Sequence, residues 1–511
     1  MWPKNNTHQE GATFRLDFMK YFLVTSVTYW LINFLLTSNT LSPLHQDDYV
    51  VLGAGYEKLG WLIERPVSTN LAYFMGEMGP TLSFALVNLL TAAIPAMALY
   101  FVAQLLQIRL GLLLVTAFGV MVFSNVAAFE HGKFLGLITN LTSHFFGCLA
   151  LIGLLHARRQ PSLTGSAISV IAYGLSVFAK EDFLLPPMLL LIYFGADLYY
   201  PRVSIVIEAA NHQSLEKKRW LMISLWFVAL AGASVLFSLL VRNPFLAGAV
   251  GQVGSAAHYA VSFNPSVLMA AFLKLTVEYS PWQTLAGFSV VFALGVFWKE
   301  RRRELLLLAV IVFCLILPYA LISNRVLPYR VFAWLPWLSA LVVIAAGLLW
   351  RGEMTVFSSR KTAKGFGFIL FLVPFLIGYL DRLPRLMVAE WYESAQKTNK
   401  QMLDSILANK AMLKKEEVVG VVGVEGLSPW SNNDGAYLQN KLGFGNHWVV
   451  FVDRSTMFFT IKESVPPAYL SVISTQRLCE QPSLLVMKFD SSGVGAPVRA
   501  SKLCTRAEGE K

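Results

Sequence analysis

Charge is scarce in this chain. Only 14% of its 511 residues are Asp, Glu, Lys or Arg, and 55% are hydrophobic. A soluble domain carries about 25% charged residues, so the deficit points to an integral membrane protein. Metal-ligand spacing is also missing: His8, His156 and His212 fall on the predicted inner side, and His258 and His447 are isolated. No nucleotide-binding signature is present, and Gly443-Phe444-Gly445 is too short for a phosphate loop. This argues against a nucleotide-sugar donor and against an ATP-driven pump. The net charge of +11 is spread over short basic clusters between apolar segments, which excludes a nucleic-acid surface. The first apolar segment is too long for a signal-peptide core and no small-x-small cleavage site follows it. It is expected to remain as a signal anchor.

Cysteine is sparse as well, at four residues. Cys148 and Cys314 lie in apolar segments and read as small core residues. Cys479 and Cys504 lie in a polar region, where a disulfide and two free thiols are both open, because spacing cannot fix pairing.

What is abundant is apolar sequence in membrane-length runs. A span needs roughly 20 apolar residues, and about eleven segments qualify as candidates: 18–38, 81–107, 110–128, 136–156, 165–179, 183–200, 220–241, 283–298, 305–322, 331–350 and 366–381. Arg109, Arg158-Arg159, Lys217-Lys218-Arg219, Arg301-Arg302-Arg303 and Arg360-Lys361 mark alternate connections as cytoplasmic. With Lys4, Arg15 and Lys20 holding the N-terminus inside, an odd count puts the C-terminal region outside. The expected architecture is a mainly α, polytopic helical bundle over 1–382, followed by a small extramembrane α/β domain over 383–511. Within that domain, 390–415 reads as a polar helix, and 417–424, 448–453 and 484–489 read as strands. The outer segment 39–80 is expected to hold an interfacial helix around 49–64, and 267–275 reads as an interfacial or re-entrant piece.

Candidate chemistry gathers at the predicted outer ends of these spans. Asp47 and Asp48 follow the first span, flanked by His45 and Tyr49. A carboxylate there stays hydrated while meeting a lipid-borne substrate, and it can act as general base on a hydroxyl. Glu130-His131-Gly132-Lys133 and Lys180-Glu181-Asp182 occupy two short outer turns that need no such charge to stay wet. Ionisable groups near membrane depth are costly and tend to line polar cavities. Arg325, Tyr329 and Arg330 lie in a third outer turn, where basic residues run against the positive-inside bias. Recognition of an anionic phosphate by guanidinium groups is a reason for them to be there. His144, inside an apolar span, reads as a packed, hydrogen-bonded histidine.

Together these features resemble the GT-C superfamily of integral membrane glycosyltransferases. The resemblance rests on Asp47-Asp48 in the first outer loop, the interfacial helix after it, Glu130 in the second outer turn and Lys180-Glu181 in the third. The layout, a soluble C-terminal domain after about eleven spans, is similar to that of protein mannosyltransferases and lipid A aminoarabinose transferases, while the motifs of this domain depart from theirs. The resemblance implies a polyprenyl-phosphate-linked sugar donor and a glycan, lipid or protein acceptor, used at the outer face of what is expected to be a bacterial inner membrane. It implies that Asp47 or Asp48 is the catalytic base, and that Lys133, Lys180, Arg325 and Arg330 surround the leaving phosphate. Asp48, Glu130 and Glu181 would bind sugar hydroxyls. No cofactor is expected; a divalent ion on those three carboxylates is the alternative. A lipid-linked saccharide flippase and a non-catalytic envelope scaffold are the rival classes. The absence of an internal repeat and of mid-span charges argues against the first.

Overall fold

Apolar runs bounded by Gly, Pro and polar residues fold as helices here, since only a helix satisfies its own backbone in an apolar surround. The computed structural model describes residues 7–36, 51–52, 66–159, 163–199, 210–249, 262–322, 326–352, 359–424, 428–430, 436–453 and 470–507. Its first seven helices are α1 Thr7–Leu36, α2 Pro66–Met78, α3 Pro80–Leu105, α4 Leu112–Phe123, α5 Val126–Lys133, α6 Ile138–Arg159 and α7 Leu163–Ala179. Then come α8 Leu185–Tyr199, α9 Ala210–Ala249, α10 Pro265–Leu273, α11 Pro281–Phe297, α12 Arg302–Leu321, α13 Leu335–Arg351 and α14 Arg360–Ala408. Helices α3 and α13 are buried along most of their length and form the centre of the bundle. By contrast α9 turns Leu221, Met222, Leu225 and Trp226 outward, an apolar surface suited to lipid.

The helical class agrees with the sequence reading, but the number of spans does not. Among the described residues five helices are long and apolar enough to cross a membrane, or up to seven if each of two bent pairs counts as one span. Two physical reasons account for part of the difference from eleven. Helices α7 and α13 have 17 residues each, about 26 Å at 1.5 Å per residue, short of a hydrocarbon core of roughly 30 Å. The other reason is breakage. The α4–α5 pair bends by 78°, and the pair formed by 265–278 and α11 bends by 99°. Residues 267–275 thus run into a π-helical turn, Lys274–Glu278, that leads straight to the second bend.

The expected interfacial helix around 49–64 lies almost wholly outside the described residues. Helix α2, which the sequence reading did not anticipate, is docked by Ser68 Oγ donating to Ala179 O at 2.9 Å. The predicted span 366–381 and the predicted polar helix 390–415 are largely one element, the 49-residue α14, which passes through the expected boundary at 382 without a break. Two prolines inside it, Pro374 and Pro384, did not end it.

The C-terminal strands are β1 Val418–Val422, β2 His447–Val452, β3 Leu470–Ser474, β4 Leu485–Phe489 and β5 Gly495–Arg499, in the order β3-β2-β1-β4-β5. The first four are mutually parallel and β5 is antiparallel to β4. Buried Val419, Val421, Trp448 and Met487 pack with Ile406 and Leu413, so the end of α14 shares a core with the sheet. In the β4–β5 hairpin the Asp490 carboxylate accepts from the Ser492 hydroxyl at 2.7 Å and from the Ser492 and Val494 amides at 2.9 and 3.0 Å. These bonds hold its pKa below the usual carboxylate value. Gly493 there has φ +89°, and a Cβ would strike Thr398 O of α14.

Cys479 and Cys504 are disulfide-bonded, closing a 25-residue separation. The bond ties the β3–β4 crossover to the terminal helix Ala500–Ala507. Replacing both cysteines by serine is expected to destabilise this domain by about 2–4 kcal/mol, read as a lower thermal midpoint of the full-length protein. An unchanged midpoint, with or without reductant, would show that the crossover is held by packing alone.

Candidate functional site

The polar cluster begins at α5. The break after α4 is set by Asn125, whose side chain accepts from Ala127 N at 2.9 Å and caps the new helix. Glu130, His131 and Lys133 therefore stand on a capped helix rather than in the turn expected from sequence. Gly132 is required there, because a Cβ would collide with the Tyr29 hydroxyl of α1. His131 is fully buried, donates from Nδ1 to Ala127 O at 2.9 Å, and stacks on Phe332 with centroids 4.5 Å apart. A carbonyl can only accept, so Nδ1 carries the proton and Nε2, which has no partner among the described residues, is an acceptor.

Opposite α5 lies the turn Glu181–Phe183 between α7 and α8. Phe183 seats against α6 where Gly147 has no side chain, which fixes the turn's depth. Its Asp182 is buried and accepts from the Tyr319 hydroxyl at 2.6 Å and from Lys180 Nζ at 2.8 Å, with His144 Nε2 at 3.8 Å. Lys180 Nζ also donates to Asn140 Oδ1 at 2.6 Å, while the Lys180 carbonyl accepts from Ser143 Oγ at 2.9 Å. An ion pair taken out of water is tolerated when its remaining donors and acceptors are met, as they are here.

Tyr319 carries the link to the third segment. Lys180 Nζ lies 5.1 Å from its ring centroid, and Arg330 Cζ lies 5.4 Å from the same centroid. Arg330 belongs to the 3-10 helix Pro328–Ala333 and is 4% exposed. Its Nε and Nη1 are buried with no hydrogen-bond partner among the described residues. Lys180 has its carboxylate, whereas the Arg330 guanidinium offers unused donors beside it.

The structure thus brings His131, Lys180, Tyr329 and Arg330 together: Tyr329 meets the His131 ring edge-on at 6.1 Å. Lys133 belongs elsewhere. It lies two residues past His131 on the same helix, and the ionisable groups acting on it are Glu393 and Arg385 of α14. Glu130 is half-buried, with Oε2 unpartnered among the described residues, and Glu181 is half-buried at the start of its turn. His45, Asp47, Asp48 and Arg325 lie outside the described residues. No three His, Cys, Asp or Glu side chains among the described residues gather as a metal site.

Sequence reasoning named Asp182 only as part of its charged turn, and it missed Asn140, Tyr319 and Arg385 as site residues. Asn140 and His144 sit four apart in an apolar run, a signal of one polar helix face that was available. Tyr319 and Arg385 had no comparable signal. Arg385 is fully buried on α14, donates to Asn33 Oδ1 and lies 5.3 Å over the Phe129 ring. His144 is the packed, hydrogen-bonded residue foreseen, with Tyr319 Oη at 3.3 Å.

No protein-family model matches the chain, and no curated protein matches it.

Removing one member of a buried ion pair strands the other. Asp182→Ala is expected to destabilise the protein by about 3–5 kcal/mol. Tyr319→Phe, which deletes only the hydroxyl, should cost about 1–3 kcal/mol. Detergent-solubilised thermal melts of both variants check the ordering; equal losses would mean that the ion pair is not what Asp182 provides.

Proposed function

We propose that the chain is an inverting membrane glycosyltransferase of the GT-C type, moving a sugar from a polyprenyl-phosphate donor to an acceptor hydroxyl at the outer face. The observation that carries this reading is Arg330, a buried guanidinium whose Nε and Nη1 have no partner among the described residues, set beside Lys180 over one tyrosine ring. Buried cations of this kind favour an anion whose charge grows during reaction. The leaving polyprenyl phosphate is such an anion. Lys180 adds positive potential but shares its charge with Asp182, so Arg330 makes the direct contact.

In this mechanism Asp47 removes the proton from the acceptor hydroxyl. The oxygen then attacks the anomeric carbon in line, the bond to the phosphate oxygen breaks, and the configuration inverts. The phosphate departs as a stable anion and requires no general acid. Asp48, Glu130 and Glu181 serve the sugar hydroxyls, and His131 presents an acceptor nitrogen toward the same segment. Arg325 supports the phosphate from the loop before Arg330. Lys133, placed among Glu393 and Arg385, has no part in the phosphate contact.

Support for an outward-facing C-terminal domain comes from the Cys479–Cys504 bond, since disulfides persist in oxidising compartments. That fits a periplasmic or other extracytoplasmic position.

The test is transfer from a polyprenyl-phosphate sugar by the purified, lipid-embedded protein. Asp47→Asn should fold normally and lose about 10²–10⁴-fold in turnover. Arg330→Ala should weaken apparent donor affinity about 10–100-fold, the value of a hydrogen bond to a charged group. Wild-type turnover in the first variant, or unchanged donor affinity in the second, rejects the assignment.

A further inference from the structure

Asp381 lies at the middle of α14, 8% exposed, and no role has yet been given to it. Its Oδ2 accepts from Asn125 Nδ2 at 3.0 Å and from Gln283 Nε2. These two partners stand at the two places where the bundle's helices break. Asn125 is the cap between α4 and α5, at the 78° bend. Gln283 is in the first turn of α11, just past the 99° bend. The approach is made possible by Gly378, one turn earlier on α14: a Cβ there would press on Val120 of α4 at 2.7 Å and on Ser124 Oγ at 3.1 Å.

Each bend in turn carries one side of the candidate site. Asn125 uses both ends of its amide, the oxygen to cap α5 and the nitrogen to hold Asp381. Through α5 it sets the height of His131. At the other bend, Tyr279 donates to Val326 O at 3.1 Å, anchoring the chain just before the 3-10 helix that bears Arg330. The His131–Phe332 stack then joins the two sides.

We infer that Asp381 is a positioning residue: its one carboxylate oxygen ties both helix breaks to α14 and thereby sets His131 and Arg330 against each other. The inference builds on the site described above as the donor pocket. It assigns Asp381 no contact with substrate. Because both bonds land on the same oxygen, an amide oxygen can replace it, whereas an apolar side chain cannot.

The experiment compares Asp381→Asn with Asp381→Leu in the full-length, lipid-embedded protein. Spin labels at Met269 and Phe292, exposed positions flanking the 99° bend, report that angle once Cys148 and Cys314 are replaced by alanine. Amide hydrogen exchange of α5 reports the other bend. Asp381→Leu should broaden the label distance distribution, accelerate α5 exchange and raise donor KM more than it lowers kcat. Asp381→Asn should restore all three. An unchanged distance distribution and unchanged α5 exchange in Asp381→Leu overturn the inference, as does an Asp381→Asn variant as damaged as the leucine one. If Asp381→Leu does not fold, Gln283→Ala cuts one tie alone: it should broaden the label distances and leave α5 exchange intact, and unaltered distances reject the inference. The structural readouts decide the matter even if the wild-type protein transfers no sugar, an outcome that would reject the enzymatic reading only.

Discussion

A helix that breaks within an apolar bundle must find partners for its freed backbone groups inside the protein. This constraint shapes the molecule more than any other. At the first break Asn125 supplies the cap. At the second, Ser280 Oγ donates back to Leu275 O at 3.2 Å. At the α7–α8 turn, Tyr173 donates to Leu184 O at 3.0 Å and Ser143 to Lys180 O at 2.9 Å. Each of these polar side chains is buried or half-buried in an otherwise apolar neighbourhood, and each is explained by a carbonyl or amide left over by a bend. The polar interior is therefore largely the cost of making corners, and the corners are what bring the ends of distant helices together.

Charge follows the same logic at higher stakes. Lys180 and Asp182 enter the interior as a pair with Tyr319 and Asn140 meeting their remaining valences. Arg330 and Arg385 enter without carboxylates among the described residues, each resting on an aromatic ring and each leaving Nε and Nη1 unused. A guanidinium tolerates this better than an ammonium because it is weakly hydrated and stacks on rings. The two arginines differ in setting. Arg330 shares its ring with Lys180, beside the turns singled out from sequence, while Arg385 faces α1 and α5 with Asn33 as its acceptor.

Much of this was legible in the residues. Apolar runs marked the helices, since helical backbone needs nothing beyond its own segment, and the strands at 417–424, 448–453 and 484–489 lie within two residues of β1, β2 and β4. The span count was not legible, because a run of apolar residues such as 110–128 looks continuous whether or not Asn125 caps a new helix within it. Helix α14 shows the reverse case: a change of composition after Asp381 suggested two helices where the backbone continues as one. Among candidate site residues, the turns at Lys180 and Arg330 were visible as charge against the expected topology. Tyr319, which joins them, lies 137 residues from Asp182 and looks like any tyrosine in an apolar helix.

The sequence by itself determined the class of molecule: scarce charge, long apolar runs and polar residues confined near their ends leave an α-helical bundle with a separate small sheet. These are sums over local composition and short-range periodicity, and they hold whatever the packing. Only the tertiary structure decided which charges are neutralised and which stand open. Lys133 and His131 are two residues apart on one helix, yet they face different neighbourhoods because a step of two residues turns about 200° around the axis. Pairing in an apolar interior depends on distances between segments far apart in the chain, and those distances exist only once the bends are made.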